Sequence, residues 1–153
     1  MLLGMKKAKA SRLYKKDSFY HIYNRGNRKG RIFYEEKDYK IFLSLLYRYL
    51  KKTQLLLVGY CLMSNHYHLI LKNGTDLNEI SRFMHGFMTA YAMYFNRSHL
   101  KVGRIFQGPF QARRINGPLD LETVKNYLHE NPFEAGLVEK GIDQSYKWLY
   151  IKE

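Results

Sequence analysis

The sequence predicts an α+β fold, a ferredoxin-like antiparallel sheet with helices packed on one face. Three observations carry that expectation. Residues 18–25 and 54–72 are rich in aromatic and β-branched side chains and bounded by turn residues, the pattern of short strands. Segments at about 38–52 and 79–96 repeat apolar residues at the helical period. These signals alternate with no repeat or low-complexity stretch over 153 residues, a length that suits one domain.

Residues 1–13, MLLGMKKAKASRL, read as a basic arm, and 14–153 as the single domain. SFYHIYNR (18–25) is the first strand, followed by the Gly-bounded basic turn GNRKGR (26–31). Ile41, Phe42, Leu45, Leu46, Tyr49 and Leu50 mark an amphipathic helix from about Asp38 to Lys52. QLLLVGYCLMSNHYHLILK (54–72) holds two apolar runs separated by MSN, hence two antiparallel strands joined by a tight turn. Asp76 and Glu79 have the spacing of a capping box. The helix it opens carries a core stripe of Ile80, Phe83, Met84, Phe87, Met88, Tyr91 and Phe95, ending near Asn96. VGRIFQGPFQARRI (102–115) is a short strand with a basic edge, interrupted by Gly108-Pro109. A last helix begins near Asp120 and is expected to stop by Asn131, because Pro132 disfavours the α region for its predecessor. The tail holds an AGLV turn and Trp148, packed back on the domain.

Charge supplies the first functional clue. With 26 Lys and Arg against 13 Asp and Glu, the net charge is +13, which calls for a polyanionic partner. The 46% apolar and 16% aromatic content excludes a disordered chain. No apolar run approaches the roughly 20 residues of a membrane-spanning helix, and the N-terminus lacks a signal-peptide core, so a cytoplasmic location is expected. Cations interleaved with Tyr and Phe suit a nucleic-acid groove better than a membrane surface. The lone Cys61 cannot form an internal disulfide and reads as a buried strand residue.

Two local patterns carry chemistry. In the strand His66-Tyr67-His68, both imidazoles project from one face about 7 Å apart, with Tyr67 turned the other way. Such a pair can converge on one divalent cation, or can be two surface histidines. A closed structural zinc site needs four ligands, and no such set exists, so a bound ion would keep open positions. Tyr127 and Asn131, at i and i+4 of the last helix, share a face about 6 Å apart along the axis. Taken alone, Tyr127 reads as a packing tyrosine beside the stripe Leu121, Val124 and Leu128 rather than as a nucleophile.

Together, YHIYNRGN (20–27), GYCLMSNHYHLIL (59–71), GRIFQGPFQAR (103–113) and YLHENPFEAGLV (127–138) resemble the HUH single-tyrosine transposases, most of all the REP-associated tyrosine transposases. The resemblance spans nearly the whole chain and implies an HUH endonuclease domain. It implies that His66 and His68 ligate a divalent ion, Mg²⁺ or Mn²⁺, that holds the scissile phosphate of single-stranded DNA. The third ligand would be Asn131, where related insertion-sequence transposases have Gln, with Glu130 as the neighbouring alternative. Tyr127 would be the nucleophile, forming a 5′-phosphotyrosine link that a later 3′ hydroxyl can resolve. The implied partner is a single-stranded DNA hairpin. A homodimer is possible in the sense that insertion-sequence relatives exchange the tyrosine helix, whereas REP-associated relatives are often monomers.

Chemistry supports those residue types independently. A phenol with a pKa near 10 is a weak nucleophile at neutral pH and needs a cation to polarise the phosphoryl oxygens. Arg25, Arg28, Lys29 and Arg31 after the first strand, with Arg104, Arg113 and Arg114 around the fourth, are candidate phosphate contacts. His21 on the first strand either approaches the site from a neighbouring strand or is a satisfied core imidazole, the latter being favoured, and His85, His99 and His129 carry no motif. The competing readings are a non-catalytic or domesticated module binding single-stranded DNA or RNA, and a two-histidine phosphoesterase. The latter would need two H-x-T/S motifs, which the sequence lacks.

Overall fold

The computed structural model describes residues 14–137 and 146–153. The expected basic arm lies outside these residues, as does Val138 of the AGLV turn. The elements run β1 (Phe19–Arg25), α1 (Glu36–Leu50), β2 (Leu56–Met63), β3 (His66–Lys72), α2 (Glu79–Ser98), β4 (Gln111–Ile115), α3 (Pro118–Glu134) and β5 (Leu149–Ile151). A short 3₁₀ turn, Asn27–Lys29, follows β1. The strands form one antiparallel sheet in the order β4-β1-β3-β2-β5, so β3 is central and paired on both sides. The α+β architecture and antiparallel sheet are as expected. β5 was absent from the sequence reading, because three residues paired to β2 leave no periodic signal.

The β2–β3 hairpin turns through two residues, with Met63 opposite His66. Tyr67, Leu69 and Leu71 point to one face, where Phe42 and Leu46 of α1 and Met84, Phe87 and Tyr91 of α2 complete the main core. Phe42 lies at its centre, with the rings of Phe33, Phe87 and Tyr91 edge-on at 5.2, 4.8 and 5.0 Å and Tyr67 at 5.4 Å. Such pairs add about 0.5–1.5 kcal/mol each beyond the burial of their surface.

Two helices share that face, while α3 crosses the other. Val124 and Leu128 pack there on Cys61 and Met63 of β2, Ile70 of β3 and Ile115 of β4. The reason lies in the strands: β2 is apolar along its length, and its Cys61 and Met63, with Ile70 of β3, leave an apolar patch on the second face that requires cover. Cys61 is buried there as expected, and Trp148 stacks on Tyr39 at 4.6 Å.

Helix ends depart from the expected signals in two places. The capping box at Asp76 and Glu79 does not form. Asp76 accepts from the Asn78 backbone and pairs with Arg82, while Glu79 is buried and accepts from Gln54 N–H at 3.0 Å. A backbone donor on an apposed segment thus claims the carboxylate that the local motif would have used. Helix α3 also runs through Pro132 to Glu134. Proline removes one N–H, its ring is buried within the fold, and the chain turns only at Ala135, whose N–H bonds to Asn131 O at 3.1 Å.

A working capping box stands at α1. Asp38 accepts from the backbone N–H of Tyr34 at 2.7 Å and Glu35 at 3.1 Å, from Tyr94 Oη–H at 2.8 Å and from His99 Nε2 at 2.8 Å. Burial alone would raise its pKa, but the bonds from His99, Tyr34, Tyr94 and Glu35 together outweigh it and hold the pKa below the ordinary value. The stabilisation is therefore present above the unfolded pKa near 3.9 and is lost as pH falls through the lower folded value. Asp38→Asn should lower stability by about 2–4 kcal/mol at pH 7, read as a fall in melting temperature of about 5–10 °C, with the gap to wild type closing in strong acid. An unchanged melting temperature would contradict this role.

Candidate active site

The site is built where the alternation of β3 meets the C-terminal half of α3. His66 and His68 lie on the α3 face, with ring centroids 5.1 Å apart and nearly perpendicular. The Tyr127 ring stands edge-on to His68 at 5.3 Å. One helical turn on, the buried Asn131 brings Oδ1 to 3.2 Å from His66 Nε2. Glu130 is exposed and takes no part in the cluster. All four residues come from one chain, so the cluster is complete without exchange of α3.

Of the two readings of His21, the less favoured one holds: it approaches the histidine pair from a neighbouring strand. On β1 beside β3, it is fully buried and its Nε2 lies 2.9 Å from His68 Nδ1. The remaining ring nitrogens, His21 Nδ1 and His68 Nε2, are buried without partners, as is the amide Nδ2 of Asn131. Asn65, treated in the sequence only as a turn residue, places Oδ1 2.7 Å from His66 Nδ1. Its place directly before the two-histidine motif in a two-residue turn was the available signal. Sequence alone could not pair His21 with His68 across 47 positions.

Burial governs the electrostatics. It lowers the pKa of His66 to about 4, with the bond to Asn131 acting the other way, and that of His21 to about 3, aided by Arg113. His68 is held well below the ordinary histidine value by burial and by its two histidine neighbours. Burial also raises the Tyr127 pKa, Glu134 adds to the rise, and the nearby Asn131 side chain opposes it. Neutral imidazoles are the form that binds metal.

The donor set fits a divalent cation. His66 Nδ1 faces the Asn65 oxygen and Nε2 faces the Asn131 oxygen, yet a neutral ring has one N–H for two acceptors. A cation between His66 Nε2 and Asn131 Oδ1 relieves that conflict, and a separation near 3 Å is the spacing of adjacent ligands on bonds of about 2.1 Å. The unpartnered His68 Nε2 supplies a further donor. Among the described residues, the only trio of His, Cys, Asp and Glu with mutually close donor atoms is Glu35, Asp38 and His99, on the α1–α2 side of the sheet. There the Asp38 carboxylate is already filled by the four donors of the helix cap, so that trio serves the fold.

The cationic residues divide by environment. Arg25 lies opposite His66 in the β1–β3 register, and its guanidinium donates to Gln107 Oε1 at 3.1 and 3.2 Å. Arg28 and Lys29 are exposed on the 26–31 loop with φ of 54° and 60°. Arg31 donates to Tyr34 O at 3.0 Å, and Arg104 reaches Gln107 O at 3.4 Å. Arg114 is exposed at the β4 edge. Arg113 differs: its guanidinium is held bidentately by Asp120 at 2.9 and 3.0 Å, so its charge is neutralised within the fold.

Backbone bonds tie the basic loops to the histidines. Gly26 N–H donates to Asn65 O at 2.8 Å, Ile32 N–H to Ser64 O at 2.8 Å, and Asn27 N–H to Ile105 O at 2.8 Å. A Cβ on Gly26 would fall 1.9 Å from Gly30 O, so this tight loop requires glycine there.

The paired histidines, the tyrosine-bearing helix and the basic 26–31 loop thus meet at one end of an antiparallel sheet. Residues 14–131 match the family model described as "Transposase IS200 like", and the chain belongs to that transposase family, whose function is DNA transposition. No curated protein matches it. Among solved structures it is similar to a REP-associated tyrosine transposase bound to a REP hairpin, with a TM-score of 0.71 and 15% identity over 93% of this chain and 81% of the other. It is also similar to a candidate transposase from Deinococcus radiodurans R1, with a TM-score of 0.55 and 19% identity over 82% of this chain and 97% of that one. At these identities the structures show a shared fold. Among the described residues no helix is long and apolar enough to cross a membrane.

The depressed histidine values have a direct consequence. In the metal-free protein, NMR titration should find His66 neutral at pH 6 and protonating near pH 4. Between those values and the unfolded pKa near 6.5, the unfolded chain binds more protons than the folded one, so stability falls as pH drops from about 7 toward 4. A His66 midpoint near 6.5 would contradict the burial of the site.

Proposed function

We propose that this chain is a metal-dependent transposase that nicks and rejoins single-stranded DNA carrying a hairpin, with Tyr127 as nucleophile and His66, His68 and Asn131 holding Mg²⁺ or Mn²⁺. The observation that carries the reading is the convergence of Tyr127 on His68, with Asn131 one turn further along the same helix against His66. The similarity to a transposase bound to a REP hairpin supports a hairpin as the DNA form. A bound cation would draw charge from the phosphoryl oxygens and stabilise the transition state.

In the proposed step, Tyr127 Oη attacks the scissile phosphorus and gives up its proton. The P–O3′ bond breaks, the 3′ oxygen leaves as a hydroxyl, and the 5′ phosphate stays on Tyr127. One phosphodiester is exchanged for another, so a 3′ hydroxyl can later reverse the step with no added energy source. Burial keeps the Tyr127 phenol protonated until a substrate arrives, which guards against unproductive reaction. Arg25, beside His66, and the exposed Arg28, Lys29 and Arg114 are suited to the DNA backbone, with Arg31 and Arg104 completing the rim. Arg113 was grouped with them on sequence, but its pairing with Asp120 suits it to holding β4 on α3.

A denaturing gel with labelled single-stranded hairpins tests the nucleophile. A covalent adduct should form with Mg²⁺ or Mn²⁺, and Tyr127→Phe should reduce it by about 10³-fold or more while changing hairpin affinity less than about threefold. Tight binding with no adduct from the wild type would favour the non-catalytic module. With about five phosphate contacts on single-stranded DNA, affinity should fall about 100-fold between 50 and 200 mM salt. Arg28→Ala and Lys29→Ala should each flatten that slope, whereas an unchanged slope would remove the loop from the interface.

A further inference from the structure

We propose that Asn65 and His21 are positioning residues, each accepting the Nδ1 proton of one histidine of the motif so that both Nε2 lone pairs are turned to the cation. The inference rests on the reading that His66 and His68 hold that cation.

At His66 the assignment follows from atom types. Asn65 Oδ1, 2.7 Å from Nδ1, can only accept, so the single proton of the neutral ring sits on Nδ1 and Nε2 is a lone pair. That lone pair faces a second acceptor, Asn131 Oδ1, at 3.2 Å. Two lone pairs opposed in a half-buried site repel unless a cation lies between them. Asn65 is itself held in place: its Nδ2 donates to Lys29 O at 3.3 Å and its own carbonyl accepts from Gly26 N–H. The basic loop and the ring orientation of His66 are thus parts of one hydrogen-bonded unit.

At His68 the partner is another imidazole. Both rings are fully buried, and an imidazolium there would cost several kcal/mol, so each ring carries one proton. The nearest formal charges to His21, Arg113 and Asp120, are paired with each other. The 2.9 Å contact can then be made in two ways. With the proton on His68 Nδ1, His68 Nε2 is free to ligate. With the proton on His21 Nε2, His68 must carry its own proton on Nε2 and cannot ligate. Either arrangement leaves the same two nitrogens without protein partners, so the cation decides between them. His21 can switch from donor to acceptor with no movement of heavy atoms, which a fixed carbonyl could not do. Neither Asn65 nor His21 needs to touch DNA or cation to act in this way.

The test uses the full chain. Long-range ¹H–¹⁵N correlations with Zn²⁺ as a diamagnetic probe should find His66 and His68 both protonated at Nδ1. A proton on Nε2 of either ring overturns the proposal. Co²⁺ titration followed by visible absorption should show binding weakened about 10–100-fold in Asn65→Leu and His21→Phe. Asn65→Asp keeps an oxygen acceptor and His21→Gln puts one in place of the ring nitrogen, and both should restore most of that loss. Unchanged Co²⁺ affinity in folded Asn65→Leu and His21→Phe overturns the proposal, and if His21→Phe does not fold, the spectra of the unaltered chain still decide. His66→Ala and His68→Ala separate the two levels. If they bind Co²⁺ as wild type does, the cation reading fails and this inference with it. If they lose Co²⁺ while the acceptor variants keep it, only the positioning role fails.

Discussion

The burial of Tyr67 decides which way its two histidine neighbours point. It is fully buried in the centre of the sheet and packs against Phe42 of the aromatic core, so the residues on either side must face α3. A one-residue slip of β3 would send Tyr67 out and drive two imidazoles into an apolar layer. Burial of a side chain of this size contributes about 2–3 kcal/mol, and the slip would forfeit that while adding two desolvation costs. Pairing to β1 and β2 on both sides makes the register firmer still. The positions of Tyr127 and Asn131 are meaningful only because that choice is settled first.

The opposite face supplies what the histidines lack. Helix α3 is anchored by Val124 and Leu128, whose spacing leaves Tyr127 and Asn131 on the flank that meets His68 and His66. The C-terminal end of β1 and the β2–β3 turn lie at the same end of the sheet, so the basic loop at 26–31 is bonded directly to the turn before His66. Positive charge thereby collects at the end of the sheet that carries His66, while Arg113 is diverted into a pair with Asp120. Proximity of this kind concentrates a polyanion at the site before any specific contact is made.

Much of this was legible in the sequence because the signals were local. The strand alternation of His66-Tyr67-His68 and the i, i+4 spacing of Tyr127 and Asn131 needed only the periods of strand and helix. Long-range features were hidden. Nothing local to His21 indicates that its Nε2 meets His68, and nothing local to Arg113 indicates Asp120, although the two are seven residues apart. Asp76 and Glu79 have the spacing of a cap, yet the tertiary partner Gln54 draws Glu79 away. Pro132 is expected to end α3, yet its ring is buried and the helix continues to Glu134 with one N–H fewer. The run of apolar residues on both faces of β2, continued by Ile70 of β3, is visible in the sequence and foretells a helix on each side of the sheet, where the sequence reading expects one covered face.

The proposed chemistry turns on where a divalent cation binds. Crystals grown with Mn²⁺ and measured near its absorption edge would locate the ion from anomalous differences without reliance on activity. The expected peak lies among His66 Nε2, His68 Nε2 and Asn131 Oδ1, beside the Tyr127 ring. A peak at Glu35, Asp38 and His99 instead, or none near the paired histidines at saturating Mn²⁺, would contradict the proposed site and the chemistry built on it.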